Sequence, residues 1–275
     1  MIKPIDLRDP VLVLAVSGWV NAGSVATTAG GLLSGKGDTV AMFDPDEIFD
    51  YGTHRPTVEF SGGFSTRVDW PKLLVTAIKD ASQDLLVVSG DEPDRAWQLI
   101  GTELTHLASS ARVTKVIAVG SISAAVSHTR DTPIMITSTD PSLEAVGIPA
   151  GAFSVPASFV NAAMHQISSE NDIPSVGFWA QVPHYVSGVY WPAAEAVLGR
   201  LSLFLGTEVD LSDLHARALD LIELLDAAVA ERPDAQELIR GLEQGTPDFG
   251  VEESSNIADE IESFLKQIDD DNPFG

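Results

Sequence analysis

The apolar residues of this chain follow two patterns: short, nearly unbroken runs, and longer segments in which they recur every three or four positions. The first run, Val11 to Val16 (VLVLAV), has no polar interruption. Such a run fits a strand buried on both faces of a helix-covered sheet. It leads through a Gly-bounded loop, Ser17 to Gly23, into a helix of small residues. Comparable runs predict strands at 38–43, 72–78, 84–89, 115–119, 133–137 and 176–182. Short alternating runs at 57–60 and 65–68 suggest an edge hairpin, and 149–156 reads as irregular. Helical periods predict helices from Pro93 to about Ser110, from Ser158 to Ser169 with Phe159, Ala162, Ala163 and Ile167 on one face, and from Pro192 to Phe204.

Strands alternating with helices of this size predict an α/β sandwich with a mixed, largely parallel sheet. Past Glu208 the pattern becomes purely helical. Asp210 can cap a helix carrying Leu214, Leu221, Leu225 and Val229, and Pro233 can open a second. A linker spans about Gly241 to Ser255, and Ile257, Ile261, Phe264, Leu265 and Ile268 mark a third helix. The expected organisation is an α/β domain over 1–207 and an acidic helical extension over 208–275.

Composition narrows the function classes. The chain has no cysteine, which excludes disulfides, a Cys nucleophile and thiolate zinc sites. Its opening, MIKPIDLRDP, lacks the apolar stretch of a signal peptide, and no apolar run nears membrane-spanning length. A cytoplasmic protein without a membrane partner is expected. The net charge of -24 opposes nucleic-acid binding, which depends on clustered Lys and Arg. From Glu208 onward nineteen Asp and Glu face four Lys and Arg, the balance of a solvated appendage.

Open α/β sheets gather ligands at the carboxyl ends of their strands, so the loop from Ser17 to Gly23 marks the expected working edge. Gly18 and Gly23 have the spacing of a phosphate-cradling loop, but Ser24-Val25 stand where that motif needs Lys and then Ser or Thr. A structural turn is favoured, with the loop amides left open to an anion or polar ligand.

Ordered motifs then give the chain a family likeness. Gly18-Trp19, Asn21-Ala22-Gly23, Phe43-Asp44-Pro45-Asp46 and Arg55-Pro56 resemble the opening of the PAC2 (proteasome assembly chaperone 2) family. Gly90-Asp91-Glu92-Pro93-Asp94 with Trp97, Gly120-Ser121, His128-Thr129-Arg130 and Pro183-His184-Tyr185 resemble its later motifs, in order. The likeness covers roughly residues 10 to 205 and is nearest the actinobacterial branch, with its acidic helical extension. It implies a three-layer fold similar to purine nucleoside phosphorylases and related hydrolases. It also implies homo-oligomeric assembly, a trimer being favoured, and a scaffold or assembly-chaperone role with proteasome subunits or another complex as partner. Proteasome-docking relatives end in a hydrophobic residue, Tyr and one more residue, whereas this chain ends Pro273-Phe274-Gly275.

The alternative is a phosphorylase-like or hydrolase-like enzyme. Ser121, His128 and His184 are its candidate catalytic groups, with Asp44 or Asp94 orienting a base. Gly120-Ser121-Ile122-Ser123-Ala124 nevertheless lacks the nucleophile-elbow spacing, and Ser121 can equally cap a turn. The candidate ligand-binding set is Gly18, Trp19, Asn21, Gly23, Asp44, Arg55, Asp94, Arg130 and Tyr185, with Arg55 or Arg130 supplying positive charge. Trp19, Trp179, His184 and Tyr185 could wall that pocket. Asp91, Glu92 and Asp94 could hold Mg²⁺, but the dipole at the start of a helix accounts for acids there more simply. No metal and no cofactor are expected.

Overall fold

The computed structural model describes residues 6–35, 37–79, 83–140, 148–149 and 156–244. The expected third C-terminal helix, the segment 150–155 and most of the linker lie outside them. Strand β1 (Val11–Val16) has every residue buried. Its odd-numbered side chains join one apolar core with α1 (Val25–Ser34) and α5 (Trp191–Leu205). Its even-numbered ones join a second core with α3 (Trp97–Ala111) and α4 (Phe159–Asn171). Alternation along a strand thus feeds two cores from one unbroken apolar run.

Eight strands form the main sheet, in the order β2-β5-β6-β1-β7-β10-β8-β9. The outer three on one side are β2 (Asp38–Met42), β5 (Leu73–Ile78) and β6 (Leu85–Gly90). Beyond β1 come β7 (Lys115–Ala124), β10 (Ser175–Pro183), β8 (Ile134–Ser138) and the short β9 (Ile148–Pro149). β6, β1, β7 and β10 run parallel, so the loops that follow them share one edge of the sheet. β5 runs antiparallel to β2 and β6, and β8 runs antiparallel to β10 and parallel to β9. The architecture is the expected α/β sandwich with a mixed, largely parallel sheet.

Three expectations need correction. The hairpin forms as β3 (Thr57–Ser61) and β4 (Phe64–Asp69), but as a separate two-stranded sheet rather than at the edge of the large one. Pro93 does not open α3: the amides of Asp94 and Arg95 donate to the carbonyl of Ile48, which holds the segment in a loop until Trp97. Strand β7 runs through Ala124, five residues past the expected Val119, because β10 pairs with it along that whole length.

The short α2 (Pro45–Ile48) lies on the α3/α4 side, where Ile48 and Phe49 enter the second core. Helix α6 (Ser212–Ala230) packs on α5, and α7 (Pro233–Gln244) follows it. Leu214, Leu225, Leu238 and Ile239 continue the first core outward. Asp210 accepts the amide of Ser212 at the start of α6, and α7 extends through the first residues of the expected linker.

Gly90, at the end of β6, has φ +127, and a Cβ there would collide with the backbone carbonyl of Lys72. Both the dihedral and the space exclude a side chain. Gly90→Ala is expected to lower unfolding stability by about 3 kcal/mol, read as the midpoint shift in urea. Gly188→Ala, at φ +79 with open space around it, should cost about 1 kcal/mol.

Candidate functional site

The shared edge carries the loops after β1, β6, β7 and β10, where the sequence places most of the candidate residues. Glu92 is the residue that organises it. One carboxylate oxygen accepts the Trp19 amide at 2.9 Å, and the other accepts the Phe159 amide at 2.7 Å. Phe159 opens α4, so a negative charge there also meets the favourable end of that helix dipole. Gly18 has φ +108, and a Cβ on it would occupy the position of the Glu92 carboxylate. The loop and helix amides therefore hold the chain's own anion.

The other acids after β6 are similarly occupied. Asp91 accepts the Lys72 amide at 3.0 Å and lies 3.4 Å from the Ser17 hydroxyl. Asp94 accepts the Asp50 amide at 2.7 Å and meets His54 Nδ1 at 2.9 Å. Burial pushes the Asp94 carboxyl up, but the Asp50 amide and His54 outweigh it and hold the group below its ordinary value. The three acids turn to three different segments. They also precede α3 rather than sit in its first turn, so each caps a loop instead of answering that helix's dipole. Among the described residues no cluster of three or more His, Asp or Glu could hold a metal ion.

Asn21 closes on Thr27, its Oδ1 accepting the amide at 3.1 Å and its Nδ2 donating to the hydroxyl at 2.7 Å. The Gly23 carbonyl accepts the Tyr190 amide at 2.9 Å. Ser121 is fully buried, and its hydroxyl donates to the Ala22 carbonyl at 2.6 Å, tying β7 to the β1 loop. Asp44 caps α2 by accepting the Asp46 amide. His184 stacks edge-on against Tyr185 and bonds the Ala124 carbonyl through its own amide. Among the described residues no serine hydroxyl bonds a histidine ring, so the Ser121 arrangement lacks a base.

The His128-Thr129-Arg130 loop serves a different contact. His128 is buried, with Nδ1 at 2.7 Å from the Tyr185 hydroxyl and Nε2 at 3.3 Å from Asp226 of α6. The His128 amide also donates to that hydroxyl at 2.8 Å, and Asp226, an acceptor only, faces Nε2, so the neutral ring carries its proton on Nε2 and leaves Nδ1 to accept the phenol proton. Burial lowers the His128 pKa despite the attraction of Asp226 and Glu243. Burial likewise raises that of Tyr185. Thr129 donates to the Glu243 carboxylate at 2.5 Å, and Arg130 donates to the Glu243 carbonyl at 2.9 Å. The loop thereby fastens α6 and α7 to the sheet.

The structure does not gather the candidate ligand set into one pocket. Arg130 lines a 520 Å³ cleft with His128, Glu195, His215 and Leu219, between the core and α6. Arg55 lines a separate 550 Å³ cleft with His54, Arg67, Trp70 and Lys72, beneath the hairpin. Trp179 and Tyr185 are buried while Trp19 is 69% exposed, so no common aromatic wall forms. Asp226 and Glu243 are contacts that sequence reasoning missed. Both lie in a stretch rich in carboxylates, and only their position opposite the loop distinguishes them.

The fold and this edge define a class: an α/β protein whose strand-end loops are cross-tied by their own carboxylates, with helices fastened outside. The PAC2 family model matches residues 15–229, and the chain belongs to that family. A Mycobacterium tuberculosis protein of unknown function is similar at 29% identity and TM-score 0.80, over 86% of this chain and 82% of its own. A Streptomyces avermitilis PAC2 family protein is 28% identical at TM-score 0.75, over 84% and 100%. A proteasome-assembly chaperone homologue of M. tuberculosis is 26% identical at TM-score 0.75, over 83% and 99%. No curated protein matches the chain.

Glu92→Gln keeps the shape but replaces a charged double acceptor by one that presents N–H to a donor. It is expected to cost about 1–3 kcal/mol in urea unfolding. His128 predicts a pH effect. Its folded pKa lies below the ordinary histidine value of 6.5, so around and below that pH the unfolded chain takes up a proton that the folded chain refuses. The stability advantage of wild type over His128→Gln should therefore shrink as pH falls from about 7.5 through 6.5, measured by urea titrations of both proteins at each pH.

Proposed function

We propose that this chain is a non-catalytic assembly or interaction scaffold. It acts in the cytoplasm as a homo-oligomer, a trimer being favoured, and its partner is a proteasome subunit or another protein complex. The observation that carries this reading is the state of the strand-end edge. An enzyme of this architecture leaves charged and nucleophilic groups there for its substrate. Here Glu92, Asp94, Ser121 and His128 are bound to the chain itself. Groups so employed set the rigidity and shape of a surface, which is what a scaffold needs.

Similarity to a proteasome-assembly chaperone homologue supports the choice of partner. The acidic balance supports a protein partner over nucleic acid. The 1–207 unit then serves as the platform, and 208–275 as an extension that adjusts its surface.

Affinity capture of the tagged full chain from its host lysate tests the reading. Stoichiometric recovery of proteasome subunits is expected, and it should persist in His184→Ala. Recovery of the chain alone, together with turnover of phosphate esters, nucleosides or small esters that His184→Ala abolishes, would overturn it in favour of an enzyme.

A further inference from the structure

The cleft beneath the hairpin gathers groups that the strand-end ties leave unused. His54, Arg55, Trp70 and Lys72 line its 550 Å³. They belong to the segments that lead into β3 and out of β4, not to the hairpin itself.

Three of them are held from behind. Asp94 takes His54 Nδ1 at 2.9 Å, and the Phe49 ring meets the imidazole edge-on with centroids 5.7 Å apart. A carboxylate only accepts, so Nδ1 carries a proton and Nε2 is the nitrogen left over, with no hydrogen bond among the described residues. The Lys72 amide donates to the Asp91 carboxylate at 3.0 Å, and the Lys72 carbonyl accepts the Asp91 amide at 2.8 Å. That carbonyl is also the group a Cβ on Gly90 would strike, so the lysine stands on fixed backbone. Trp70 is 52% exposed, and Tyr51 props its ring edge-on at 5.0 Å while donating its own hydroxyl to Asp46.

The pairing of charges indicates the ligand. With 40 Asp and Glu for 16 Lys and Arg, a cation on this chain has carboxylates in plenty to meet. Arg67 on the cleft wall pairs with Asp69. Arg55 and Lys72 make no ion pair among the described residues. The second carboxylate of the lining, Asp91, is turned to the Lys72 amide and the Ser17 hydroxyl. Two unpaired cations and an oriented imidazole around one concavity suit an anion with several acceptor oxygens, and a phosphate monoester offers three where a carboxylate offers two. The exposed Trp70 ring beside them suits a planar group.

We propose that this cleft binds a small phosphate-bearing molecule with a planar ring, the phosphate on Arg55, Lys72 and His54 Nε2 and the ring against Trp70. One proton shared between Nε2 and a phosphate oxygen completes the contact. The site goes beyond the scaffold reading and needs no partner protein.

Equilibrium dialysis of the full chain at fixed ionic strength, with adenosine monophosphate and inorganic phosphate as probes, tests it. Adenosine monophosphate is expected to bind saturably, and phosphate to compete with it. Arg55→Gln/Lys72→Gln should weaken both by about tenfold or more with circular dichroism unchanged, and Trp70→Leu should weaken adenosine monophosphate by about tenfold while leaving phosphate as it was. Lys79→Gln, an exposed cation just past the other end of β5, should change neither. Absence of saturable binding to wild type overturns the proposal, as does binding that Arg55→Gln/Lys72→Gln leaves unaltered. Undiminished binding of adenosine monophosphate by Trp70→Leu overturns the place of the ring. Lysate capture reports the scaffold reading separately, so either can fail alone.

Discussion

The structure depends on one strand being dry on both faces. β1 has no side chain in water, so helices must cover the sheet on either side, and its parallel neighbours must be reached by crossover helices. That requirement sets the positions of α1 and α5 on one face and of α3 and α4 on the other. It also sends the loops after β6, β1, β7 and β10 to one edge. The chemistry of the molecule is decided at that edge, because there the backbone leaves donors without partners in the sheet.

Those donors are met from within. Glu92 supplies the negative charge that the Trp19 amide and the start of α4 would otherwise draw from solvent. Ser121 performs a neutral version of the same task between β7 and the β1 loop. On the opposite side of the edge, His128 and Tyr185 pass a chain of hydrogen bonds outward to Asp226, so the first turn of contact between sheet and helical extension is polar and directional. Along this edge the described carboxylates and the buried hydroxyl are thus engaged by the chain's own backbone.

Much of the fold was legible because it rests on period. VLVLAV, the helix from Ser158 and the Pro-initiated α5 and α7 each announce themselves by spacing or a cap. Strand ends and loops were less legible. Pro93 reads as a helix start, yet two amide bonds to Ile48, more than forty residues away in sequence, hold it in a loop. The site was harder still. Gly18, Glu92, His128 and Arg130 were picked out by type, but their roles come from partners such as Phe159, Asp226 and Glu243 that no local pattern marks. The hairpin showed the converse: its alternation predicted two strands correctly, and alternation cannot tell an edge hairpin from one that projects alone.

That projection has an evolutionary side. Thr57 and Asp69 face each other across the base of the arm, so everything between them hangs from two adjacent points. Such a segment can lengthen, shorten or change its residues while the sheet and both cores keep their packing. Selection on what the molecule meets can then proceed almost independently of selection on whether it folds, and related chains can diverge at the arm far faster than along β1.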